Sequence, residues 1–97
     1  MPYIDQTQRD LLNPIIDELV DMIVSMKLDD ETINVEGCLN YSVTKILHRV
    51  YGNSQSTRYS ELNNAVGLLE CIKLEYYRKV AAPYENQREF ENGEIDA

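Results

Sequence analysis

Apolar residues recur every three to four positions along three stretches of this chain, and nowhere do they alternate with polar ones in the two-residue rhythm of a strand. That periodicity restricts the fold to helices. The last stretch adds a second constraint. One stripe runs through Leu62, Val66, Leu69, Tyr76 and Val80, and a weaker one through Gly67, Cys71 and Leu74. A small surface helix needs one stripe to reach a core. A helix with two asks for more cover than two neighbours in one short chain can supply.

Start and stop signals place the elements. Asn13 can cap, and Pro14 is preorganised for a first helical position, so a helix is expected over about 14–27. Leu12, Ile15, Ile16, Leu19, Met22, Ile23 and Met26 share one broad face, which Val20 and Val24 widen. After the acidic turn "LDDETINVEGC", with a cap at Thr32 or Asn34, a second helix is expected over about 35–51. Gly37 leaves its first residue open. Leu39, Val43, Ile46, Leu47 and Val50 form its stripe, and Gly52 is expected as a C-terminal cap. A third helix is expected over about 59–82, stopped by Pro83. Residues 1–84 then make a single all-α, three-helix domain, and residues 85–97 an acidic flexible tail.

A chain of 97 residues buries only about 60–65% of the surface its unfolded form exposes, so its core is limited. The excess apolar surface is expected to meet copies of the same chain, with Val20, Val24, Gly67, Cys71 and Leu74 at the homo-oligomer interface and two-fold symmetry as the simplest arrangement. The competing arrangement is a monomer whose N-terminal segment or tail folds back over the second stripe.

The formal net charge of -8 argues against non-specific nucleic-acid binding. Its distribution is uneven. Residues 1–37 carry net -7, residues 38–79 net +3, and residues 80–97 net -4. No apolar run approaches the ~20 residues of a membrane span. The start "MPYIDQTQRD" does not read as a signal peptide, so a cytoplasmic setting is expected, with Cys38 and Cys71 reduced and buried.

Chemical signatures are sparse. Glu18 and Asp21 form a Glu-x-x-Asp pair of the kind that holds Mg²⁺ in all-helical nucleotide pyrophosphohydrolases. Such enzymes need a second pair, and Glu70 and Glu75 fall about 140° apart on a helix, off a common face. His48 has no cysteine or second histidine near it in sequence, and Cys38 lies about 15 Å from it along a continuous helix. There is no phosphate loop, nucleophile elbow or zinc spacing. The expectation is a non-enzyme with no metal and no cofactor.

The remaining group is basic and aromatic. Lys45, Arg49, Arg58 and Arg78 can meet phosphates, and Tyr41 and Tyr59 can stack on a base. His48, Tyr77 and Lys79 lie beside them in sequence. A net-positive middle in an acidic chain invites a small anionic, nucleotide-like ligand. The same cations could instead pair with the acidic ends, and the tyrosines could simply pack.

"MPYIDQTQRDLLNPIIDEL", "LNYSVTKIL", "GLLECIKLEYYRKVAAPYE" and the tail "ENGEID" together resemble a family of short uncharacterised proteins encoded by bacteriophages and bacteria, over nearly the whole chain. That resemblance carries over no catalytic residue, because the family has no established activity. It implies a viral accessory setting in the host cytoplasm. Short phage proteins of that kind act by stoichiometric binding, some as helical oligomers that sequester nucleotide signals of host defence, others as acidic inhibitors covering a host protein. In this chain the first role would use the basic and aromatic group at subunit junctions. The second would use Asp17, Glu18, Asp21 and the tail.

Overall fold

A computed structural model describes residues 3–52 and 58–94. The chain divides into two compact units, Met1–Asn53 and Ser54–Ala97. Among the described residues every regular element is helical.

The first unit is a pair of helices, α1 (Gln6–Asp29) and α2 (Val35–Tyr51), which contact one another. Helix α1 starts at Gln6, not near Pro14. The reason is a capping box. The Gln8 N–H donates to Asp5 Oδ1 at 2.8 Å, and the Asp5 N–H donates to Gln8 Oε1 at 3.2 Å. Two orphan donors are satisfied at once, and the helix begins there. Pro14 therefore sits inside α1, where its missing N–H leaves the Asp10 carbonyl without an intrahelical donor. Residue 10 is exposed, so water can take that bond.

The connection from α1 to α2 is tied by its own polar groups. The Asp30 N–H closes on the Met26 carbonyl at 3.0 Å. Lys27 Nζ donates to the Ile33 carbonyl at 3.0 Å and to that of Glu31 at 2.5 Å. Asp30 Oδ1 accepts from the Thr32 hydroxyl at 2.6 Å and from the Thr32 N–H at 3.0 Å. Asn34, not Thr32, caps α2, accepting from the Gly37 N–H at 3.1 Å. Gly37 thus lies inside the helix. A methyl group there would stand 3.3 Å from the Asn34 side chain, so the glycine leaves room for the cap.

Gly52 does close α2, its N–H bonding the His48 carbonyl at 2.8 Å, but at φ -110, not in the left-handed conformation usual for a glycine cap. Its service is space: a Cβ there would meet His48 Nδ1 at 3.0 Å.

The described part of the second unit is one uninterrupted helical rod: α3 (Tyr59–Tyr76), a π-helical turn (Tyr77–Ala81) and α4 (Ala82–Asn92). Pro83 does not stop it, and residues 85–92, expected in a tail, are helical. The turn just before Pro83 explains why. Ala82 donates five residues back, to the Tyr77 carbonyl. That widening shifts the carbonyl that the proline ring would otherwise strike and absorbs its missing donor. The rod closes at Gly93, which takes φ 92, a conformation glycine adopts without strain.

Burial is scant. Among the described residues Ile23 is the one buried side chain, at 8% exposure. Val35, Cys38, Ser42 and Leu47 of α2 are half-buried, and Leu39, Val43, Ile46 and Val50 of its expected core stripe are exposed. In the rod nothing described is buried, and both α3 stripes stand in water. Cys38 is half-buried and Cys71 is exposed, which corrects the expectation of two buried thiols.

Candidate functional site

Helix α2 places Tyr41 and Lys45 one turn apart, and His48 about one turn further, so that all three share a face. Lys45 Nζ donates to the Tyr41 hydroxyl at 3.1 Å and stands 5.4 Å from the centre of its ring. The ammonium is thereby held against an aromatic surface, a contact of about 0.5–1 kcal/mol at an exposed site. The three side chains line a surface depression of about 640 Å³ together with Glu36, Gly37, Asn40 and Thr44. Its lining combines one aromatic face, one fixed cation, an imidazole and two neutral hydrogen-bonding side chains. Glu36 opposes Lys45 in sign, so the depression is not strongly positive.

The other expected ligand-binding residues lie elsewhere. Arg49 is on α2 but about 80° round the helix from Tyr41, outside this depression. Among the described residues no carboxylate forms an ion pair with Lys45 or Arg49. In the second unit, Arg58 precedes α3 and Tyr59, 82% exposed, begins it. Arg78 lies in the π turn, about 28 Å from Tyr59 along the rod at helical rise. Its guanidinium is held by Glu75 at 2.5 Å. Tyr77, next to it, donates to Glu85 at 3.3 Å, bridging the π turn to α4. Arg58 and Tyr59 therefore do not share a small ligand with Arg78 inside one chain.

The residues expected at an oligomer interface are open. Val20, Val24 and Leu74 are each about half exposed, Cys71 is exposed, and Gly67 has empty space where a side chain would stand. Glu70 pairs with Lys73 at 3.3 Å and Glu75 with Arg78. Among the described residues no three His, Cys, Asp or Glu side chains gather as a metal site, and no helix is long and apolar enough to cross a membrane.

Sequence reasoning grouped His48 with Tyr41 and Lys45 but left Glu36, Asn40 and Thr44 out of the site. Glu36, Asn40, Thr44 and His48 follow one another at intervals of four residues, and that ladder was the available signal. It also passed over the π turn, whose signal was Pro83 inside an otherwise helical pattern.

A family model described as Domain of unknown function (DUF6899) matches residues 1–95. Comparison with curated proteins and with solved structures finds no match.

Proposed function

The chain belongs to the DUF6899 family, of unknown function, and we propose that it is a non-enzymatic protein that assembles with copies of itself and works by stoichiometric binding. The observation carrying this reading is the open apolar surface of both units. Leu11, Ile15 and Met22 of α1, Ile46 and Val50 of α2, and Leu62, Val66 and Leu74 of α3 are all exposed. Each such side chain gains about 1.5–3 kcal/mol when fully removed from water. A soluble chain with this much apolar surface covers it, and identical copies carry matching stripes.

The ligand reading centres on α2. Tyr41 offers a ring for a base, and Lys45 with His48 offers donors for a phosphate, as a small anionic, nucleotide-like molecule requires. Arg49, Arg58, Tyr59 and Arg78 are not part of its lining and would join that site where neighbouring subunits bring them to it. The resemblance to phage-encoded proteins supports a viral accessory role, such as sequestering a host defence signal. Sedimentation velocity tests the assembly, which predicts a mass that is a multiple of 11.2 kDa. A thermal-shift screen with cyclic and linear nucleotides tests the ligand, with a rise of several degrees expected for wild type and lost in Tyr41→Ala. No shift with any nucleotide at hundreds of micromolar counts against the ligand.

One observation favours a second reading. Helix α4 carries Glu85, Glu89 and Glu91 beside exposed Tyr84 and Phe90, the latter 87% exposed. An acidic helix with exposed aromatic rings fits a groove on a protein partner. Under that reading, deleting residues 84–97 abolishes inhibition of a host protein and leaves nucleotide shifts intact.

A further inference from the structure

We propose that α3 pairs with α3 of a second copy as an antiparallel coiled coil, with Lys73 setting the register by meeting Glu70 of that copy. This rests on the self-assembly reading above and names the surface responsible. Counted in sevens, Tyr59, Val66 and Lys73 occupy one position of the repeat, and Leu62, Leu69 and Tyr76 another. That alternation of three and four residues is the seam of a left-handed coiled coil. It runs the full length of α3 and ends at the π turn, where the extra residue in the turn moves the phase. The second stripe, Gly67, Cys71 and Leu74, is shorter and continues into polar Asn64 and Arg78.

The apolar members of the seam are between 42% and 82% exposed. With Ile72 flanking them, also about half exposed, the stretch that two copies share in the register below, Val66 to Tyr76, is open apolar surface that pairing removes from water.

Lys73 decides direction. In a parallel pair related by a two-fold axis, equivalent seam residues face each other, and the two ammonium groups would meet at the centre. In an antiparallel pair, a residue of one seam position faces the other position. The register that sets Val66 against Tyr76 sets Lys73 against Leu69, with Glu70 next to it. The Lys73 stem then covers Leu69, and its head, already 3.3 Å from Glu70 of its own chain, reaches Glu70 of the second copy as well. A lone lysine on such a seam costs stability and selects one alignment.

Two full-length variants test this by sedimentation. Lys73→Glu makes the cluster wholly acidic, and Glu70→Lys makes it wholly basic. Each alone is expected to associate at least tenfold more weakly than wild type, and an equimolar mixture of the two at least tenfold more tightly than either. An ion pair confined within one chain predicts no preference for the mixture. Asn64→Asp, off the seam, is expected to associate as wild type does. Lys73→Leu keeps the measurement decisive should a charged variant fail to fold, because it removes the charge and is expected to tighten association at least tenfold. Single variants that associate like wild type, or a mixture no tighter than its parts, overturn the seam while leaving self-assembly intact. A wild-type chain that sediments at 11.2 kDa at several hundred micromolar overturns both.

Discussion

The two units of this chain reach their helices by different routes. In Met1–Asn53, side chains terminate each element: Asp5 and Gln8 start α1, Lys27 and Asp30 hold the turn, and Asn34 starts α2. The two helices touch, and Ile23 is buried. In Ser54–Ala97, the described residues form one rod with no side-chain cap at the start of α3, no buried side chain and a π turn in its middle. Local hydrogen bonds mark where a helix begins and add about 1 kcal/mol each, but most of a helix's stability in water comes from an apolar face packed on something. The first unit has a beginning of such packing within itself. The rod has an apolar packing surface but, among its own described residues, no buried side chain.

Variants that separate local from packing contributions sharpen this contrast. The largest effect is expected at Ile23. Ile23→Ala should destabilise the first unit by about 2–4 kcal/mol in denaturant titration, since it is the one side chain described there with a buried environment to lose. A cost below about 1 kcal/mol would mean that this unit, too, gets its stability from elsewhere. Next is Pro83→Ala, which restores a backbone donor and removes the ring that the π turn accommodates. It should stabilise the rod by about 1–3 kcal/mol and slow amide exchange from Tyr77 to Tyr84. Unchanged exchange would mean that the widened turn has a cause other than proline.

Asp5→Ala should cost about 1 kcal/mol and fray α1 back towards Pro14, seen as faster amide exchange over residues 6–12 with α2 unaffected. The smallest effect lies in the α1–α2 turn. The Thr32 hydroxyl, and after it the Thr32 N–H, hold the Asp30 carboxyl below its usual range. Folding therefore favours the ionised form. Its contribution is complete above the unfolded value, near pH 4, and fades as pH falls through the lower folded value. Thr32→Val should weaken this acid-side dependence, measured as a smaller loss of thermal stability between about pH 4 and pH 2.

Much of this architecture was legible in the residues. The helical periodicity, α2 from 35 to 51 and the two stripes of α3 follow from spacing alone, because those signals are local. The start of α1 was missed because Asn13–Pro14 is a good start signal that competes with Asp5-x-x-Gln8, and the box satisfies two donors where a lone cap satisfies one. The end of the rod was missed because proline stops a regular α-helix but not one that widens into a π turn beforehand. At the candidate site, Tyr41 and Lys45 at i and i+4 were readable as neighbours. The association of Arg58 or Arg78 with them was not, since contacts between distant segments have no signature in local spacing.

Thermal melting followed by helical circular dichroism, repeated from about 1 to 300 µM, addresses the dependence on copies most directly. If partner surfaces hold the helices together, the midpoint climbs steadily with concentration, as mass action requires of an assembly that folds on association. A sharp, cooperative melt whose midpoint stays constant across that range would show that one chain folds unaided, and would contradict the account.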